Sequence, residues 1–287
     1  MLFCFIINLK KMKRIFLSIN LLTIALLLNA AKVDTLVVFS NSMKKNTKAC
    51  VVTPETYNKT GKAYPVLYLL HGYSGNFGSW TKDFPQVKQF ADLYNMIIVG
   101  VDGNFSSWYF DSPVDPAMKY ETYVSKELIA FMDNTFNTIK SNEGRAISGL
   151  SMGGHGALYL SIRHQDVFGA AGSMSGGVDF RPFPDNWDLS KRLGDMALYP
   201  ENWEKNTVIY QLYLLKNDKL AMIIDCGVND FFIAVNRQLH DKMLYLNIKH
   251  DYIERPGGHS WDYWNNALQY QVLYFDNFFR KADKRSK

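Results

Sequence analysis

The stretch Gly149-Leu150-Ser151-Met152-Gly153-Gly154 constrains this chain more than any other. It follows a strand-like run, Arg145-Ala146-Ile147-Ser148, and precedes a helix-forming run, His155-Gly156-Ala157-Leu158-Tyr159-Leu160. A serine between a strand and a helix, flanked by glycines, fits a sharp turn that lifts its hydroxyl clear of a sheet. The glycines leave room for backbone strain and for close helix–strand approach. The following helix sets the positive end of its dipole beneath the serine. A glycine-rich turn without chemistry has the same composition. The flanking elements, more than the G-x-S-x-G match, point to a nucleophile.

The rest of the chain repeats the same alternation of strand and helix. Runs at 33–40 and 48–54 read as an opening pair of strands. A buried strand is expected at 64–70, and further strands at 96–101, 144–150, 168–175, 221–225 and 250–254. Helical periodicity falls at 83–94, 120–139, 152–164, 231–247 and 261–280. Strands alternating with helices predict an α/β fold with a mostly parallel sheet covered on both faces. Residues 178–217 break the rhythm with Pro182, Pro184 and Pro200, and read as an insertion or lid near the site. One domain is expected over 32–287.

A serine hydroxyl needs a base near neutral pH. Of six histidines, His259 stands out, because Arg255-Pro256-Gly257-Gly258-His259-Ser260-Trp261 follows a strand and opens a helix. Two glycines let that loop fold back over the serine turn. His71 belongs to another motif, His155 on the helix after the serine is expected to face a neighbour, and His164, His240 and His250 read as solvated surface residues. The acid should lie between serine and histidine in an α/β-hydrolase chain order. Asp225 and Asp230 compete in Ile223-Ile224-Asp225-Cys226-Gly227-Val228-Asn229-Asp230. Asp230, past the glycine turn, is placed to point across the sheet top. Asp225 ends the strand and suits a loop-fixing role. An N-cap of the next helix is the bland alternative for Asp230. An acyl-transfer site also needs oxyanion donors. The amide of Met152, directly after the serine, is one candidate. The amide of Tyr73, in the loop Leu70-His71-Gly72-Tyr73-Ser74-Gly75, is the other.

The formal charge of +5 misleads. Lys10, Lys11, Lys13 and Arg14 lie in the first 31 residues, which carry no acid. Without them 28 basic residues face 27 acidic ones, so no electrostatic argument favours nucleic acid as a partner. The basic patch, the apolar run 15–28 and the small residues Ala30 and Ala31 read as a secretory signal over 1–31. Cleavage would leave no stable membrane anchor. The expected location is therefore periplasmic or secreted. Cys50 and Cys226 sit in strand-like surroundings and are read as free thiols, with pairing left open. Zinc-ligand spacing is absent, and neither a metal nor an organic cofactor is expected.

Four motifs together, His71-Gly72-Tyr73-Ser74-Gly75, Gly149 to Gly154, Cys226-Gly227-Val228-Asn229-Asp230 and Pro256 to Trp261, resemble the putative esterase (esterase D-like) family. That family includes S-formylglutathione hydrolases, feruloyl and acetyl-xylan esterases, tributyrin esterases and mycolyltransferases. The resemblance covers about residues 33–280. It implies an α/β-hydrolase fold and a serine esterase. Ser151 would be the nucleophile, His259 the base and Asp230 the acid, with the Tyr73 and Met152 amides as oxyanion donors. Asp102 to Tyr109 resembles a family loop bordering the acyl pocket, which makes Trp108 and Tyr109 candidate substrate contacts. Trp261, in a second aromatic cluster, is another. A small-molecule or polysaccharide-linked ester is the expected substrate, with an acyltransferase or a non-catalytic carbohydrate-binding protein as alternatives. Oligomeric state stays open.

Overall fold

The computed structural model describes residues 30–216 and 219–285. Strand β1 (Lys32–Ser40) pairs antiparallel with β2 (Lys45–Thr53), and β2 pairs antiparallel with β4 (Ile97–Val101). From β4 onward the sheet is parallel: β4, β3 (Val66–Leu70), β5 (Arg145–Leu150), β6 (Ala170–Met174), β7 (Ala221–Gly227) and β8 (Asp251–Arg255). The chain leaves β3 on one side to form β4 and returns on the other to form β5. A crevice opens at the carboxyl ends of strands where strand order reverses in this way. Leu70 pairs with Gly149, so the loop after β3 and the serine turn after β5 emerge side by side there.

Strands β3 to β6 are buried along their whole length, as a sheet covered on both faces requires. Alternation along β3 splits the core. Val66, Tyr68 and Leu70 face one cluster, and Leu67 and Leu69 face the other. Helices α1 (Ser79–Asp83), α2 (Val87–Tyr94) and α5 (Trp261–Arg285) cover the Leu67 face. Helices α3 (Met152–Arg163) and α4 (Ile233–Tyr245) cover the other.

Two helical expectations differ from the structure. The span at 83–94 is two helices with Pro85 between them, because proline lacks the N–H a continuous helix needs. The span at 120–139 is Tyr120–Thr122, a π-helical turn Tyr123–Leu128 and Ile129–Thr135. Residues 178–217 bury Phe180, Leu189, Leu193 and Trp203 in the larger core.

Residues 1–29, which carry most of the expected signal, lie outside the described residues. Among the described residues, no helix is long and apolar enough to cross a membrane. Cys50 on β2 and Cys226 on β7 are buried and free. Five strand spacings of about 4.8 Å separate their strands, far beyond the roughly 7 Å a disulfide tolerates between Cα atoms.

Candidate active site

Ser151 stands at the turn between β5 and α3 with φ 55° and ψ −118°. A non-glycine residue rarely adopts that backbone, and the surroundings must hold it. Its N–H donates to the Met174 carbonyl of β6 at 2.9 Å, and its carbonyl accepts from His155 at 3.1 Å and Gly177 at 3.3 Å. Helix α3 begins pressed against β3. A Cβ on Gly153 would lie 2.7 Å from the His71 carbonyl and collide with the Leu70 carbonyl. Only glycine allows this approach, which explains the motif physically.

The turn after β7 and the loop after β8 are joined by backbone bonds. Val228 donates to the Arg255 carbonyl and Asn229 to the Gly257 carbonyl, each at 2.9 Å. Gly257 takes φ 136°, open only to glycine. Below them, fully buried Asp225 accepts from the Arg255 guanidinium and the Tyr263 hydroxyl. Burial raises its pKa, while Tyr263 and Arg255 oppose the shift. Asp225 thus fixes the loops and is not joined to His259.

This junction sets Asp230 beside His259. Nδ1 of His259 lies 2.8 Å from Asp230 Oδ2, and Nε2 lies 2.9 Å from Ser151 Oγ. With Nδ1–H donating to the carboxylate, Nε2 is left to accept from the serine hydroxyl. The other Asp230 oxygen accepts the Phe232 N–H at 2.8 Å. That bond closes a turn just ahead of α4, whose N-cap is Phe232, so Asp230 is not the helix cap, and turn and relay use different oxygens of one carboxylate.

Among the described residues, nothing accepts from the amide N–H of Tyr73 or Met152. His71 braces the Tyr73 loop. Its Nδ1–H donates to the Gly72 carbonyl at 2.7 Å, and its Nε2 accepts from the Gly103 N–H at 2.9 Å.

A cleft of about 510 Å³ opens over Ser151 and His259. Tyr73, Trp187, Phe231 and Trp261 give it aromatic walls, and Asn76, Lys82 and Asp83 give it polar ones. Trp261 is where the sequence placed it. Trp108 and Tyr109 are not, and the expectation that they contact substrate is corrected. They are 1% and 0% exposed. The Trp108 indole N–H donates to the Trp187 carbonyl at 3.2 Å, and the Tyr109 hydroxyl donates to the His71 carbonyl at 3.0 Å. Both rings form the packing behind the site. Exposed Phe231 and half-buried Trp187 line the cleft instead, and sequence reasoning missed them. The adjacency of Phe231 to Asp230 was the available signal. Trp187 lay inside the proline-rich insertion with no periodicity to place it.

His164, His240 and His250 are more enclosed than expected. His164 lies 2.9 Å from Glu121, and His240 Nδ1 lies 2.7 Å from His250 Nε2. His155 is wholly buried against Trp108 and Tyr159. Among the described residues, no group of three or more His, Cys, Asp or Glu is placed to hold a metal ion.

Fold and site together define an α/β-hydrolase. The chain belongs to the putative esterase family, whose profile matches residues 40–275. It is 27% identical over 251 residues to an acetyl esterase of Caldicellulosiruptor saccharolyticus, covering 80% of this chain and 92% of that one. It is 25% identical over 282 residues to the diacylglycerol acyltransferase/mycolyltransferase Ag85B of Mycolicibacterium smegmatis, covering 84% and 83%. A solved ferulic acid esterase superposes with a TM-score of 0.76 at 29% identity, covering 88% of this chain and 100% of that one. The chain spans about half the length of two mycobacterial esterases that it also matches. By family it is a carboxylic-ester hydrolase.

Proposed function

We propose that this protein is an exported serine esterase that cleaves acyl esters through an acyl-enzyme on Ser151. The observation that carries the reading is the unbroken chain Asp230–His259–Ser151, with contacts of 2.8 and 2.9 Å, beside two unengaged amides. Ser151 attacks the acyl carbon as His259 Nε2 takes its proton, and the Tyr73 and Met152 amides receive the oxyanion. His259 then protonates the departing alcohol. Water, deprotonated by the same nitrogen, releases the acid and restores Ser151. Asp230 keeps the proton on Nδ1 throughout. A short-chain nitrophenyl ester assay tests this reading. Ser151→Ala should lose about 10³-fold or more in kcat and should no longer label with a fluorophosphonate. Retained activity would refute the assignment.

The substrate we infer is a feruloyl or acetyl ester of plant polysaccharide, or another short-chain ester. The acetyl esterase and ferulic acid esterase relatives support this class. The cleft of about 510 Å³ with its aromatic walls has space for a ring as well as an acyl group. Release of ferulate from arabinoxylan, measured beside release of acetate, separates the two. The mycolyltransferase relative favours a second reading, in which another alcohol replaces water as acceptor. New esters formed in the presence of sugar acceptors would select it. Export is tested by the N-terminus of the protein recovered outside the cytoplasm.

A further inference from the structure

The proton that His259 gives to the departing oxygen fixes where the alcohol half of the ester must sit. That oxygen has to come within about 3 Å of Nε2, so the group attached to it starts beside the imidazole. The half-exposed ring there is Phe231, 49% exposed, with its centroid 4.2 Å from the imidazole and its plane tilted by 35°. The Phe231 ring also stacks on Trp187 at 5.6 Å and 20°. The imidazole also meets Trp264, which is buried, with ring centroids 4.8 Å apart and planes at 89°.

Trp187 is held in this place against its backbone preference. Trp187 and Asp188 have φ values of 52° and 58°, two consecutive side-chain-bearing residues in the left-handed region. Such strain persists only where surroundings enforce it. Here the Trp187 carbonyl accepts from Trp108, and Leu189 N–H donates to the Asn186 carbonyl at 3.1 Å. The same twist brings Asp188 towards Tyr73, which lines the cleft. One of its oxygens lies 3.5 Å from the Tyr73 hydroxyl, and the other lies 2.8 Å from Lys191 Nζ. An apolar aromatic face beside a carboxylate and a phenol is the chemistry that holds a sugar ring, with its C–H face on the aromatic and its hydroxyls on the polar groups.

We propose that Trp187 and Phe231 form the subsite for the alcohol half of the ester, and that this alcohol is a furanose or pyranose ring. The proposal rests on the serine esterase reading of the site, and it assigns the insertion 178–217 the task of choosing the leaving group. The acyl group is left to the remainder of the cleft.

The test compares two esters of one acyl group, ferulate or acetate, whichever the wild type cleaves faster. One is the methyl ester and the other is the ester of arabinofuranose or xylopyranose. The readout is the ratio of kcat/KM for the sugar ester to that for the methyl ester. Changes in the common acyl chemistry divide out of it. Trp187→Ala should lower the ratio about tenfold, the scale of losing one well-packed aromatic contact. Phe231→Ala should lower it in the same direction. Its ring is half exposed, so it serves if Trp187→Ala folds poorly. Trp187→Phe should keep most of the ratio. A ratio unchanged within about twofold in both alanine variants overturns the subsite. Sugar-ester cleavage that survives Ser151→Ala overturns the esterase site itself, and the subsite with it.

Discussion

His71 holds its Nε2 lone pair 2.9 Å from the Gly103 N–H, and so ties the loop after β3 to the loop after β4. The bond exists only while the imidazole is neutral, because Nδ1 already carries the proton given to Gly72. Burial holds the pKa of His71 below the usual 6.5. Burial lowers that of His155 to about 4. In both cases the unfolded chain binds the proton more readily than the folded one. Stability is therefore fully present above pH 6.5 and falls as pH drops through the folded-state values. Between pH 6.5 and 5 the loss should be on the order of 1 kcal/mol per pH unit from His155, with His71 adding in the same direction. Urea unfolding at pH 7.5, 6.5, 5.8 and 5 measures it. His71→Gln, whose side-chain carbonyl still accepts from Gly103, should show a shallower decline.

Asp230 and Asp225 should separate function from stability. In Asp230→Asn an oxygen remains to accept from the Phe232 amide, but His259 loses its tautomer-fixing partner. Ester hydrolysis should fall by about 10⁴ in kcat, with the urea midpoint close to wild type. Asp225→Ala should do the reverse in weight. It leaves the Arg255 guanidinium, with a side chain only 20% exposed, without its carboxylate. A loss of about 3 kcal/mol is expected. Equal stability losses for the two variants would contradict these roles.

Gly153→Ala should damage the site through backbone collision and not through chemistry. The added Cβ meets the carbonyls of Leu70 and His71, neither of which can rotate away. The first turn of α3 must shift, and the Met152 amide shifts with it. Fluorophosphonate labelling of Ser151 should slow by about 10²-fold or more, the scale of losing one oxyanion donor. Near-normal labelling in a folded variant would show that the turn has slack.

Cys50 and Cys226 should resist thiol reagents in the folded protein. Burial raises the pKa of each thiol, most strongly for Cys226. Reactive cysteines carry accessible thiolate, which neither supplies. A chromogenic disulfide reagent should react with both only after denaturant is added, and mass spectrometry of the unreduced chain should show no Cys50–Cys226 bridge.

The sequence by itself determined what depends on local spacing. Short continuous apolar runs placed the buried strands. The glycines around Ser151 marked the turn, because only glycine tolerates the carbonyls at Gly153. The order of Ser151, Asp230 and His259 followed from where strands give way to loops. Pro85 was visible in the sequence, yet the helix before it was read one residue into its end rather than from Ser79.

Only the tertiary structure decided which loop residues face the cleft and which lie behind it. Trp108 and Tyr109 look like exposed aromatics in a polar loop. They are enclosed because α3 and the insertion close over them, and no period within the loop encodes that cover. Trp187 gains its place from a left-handed backbone held by Trp108, 79 residues earlier. The choice between Asp225 and Asp230 turned on the joining of two loops after adjacent parallel strands, through Val228, Asn229, Arg255 and Gly257. Periodicity is written into a segment by its own side chains. Burial in a loop is conferred by whatever packs against it, and that partner is fixed only when the whole sheet has formed.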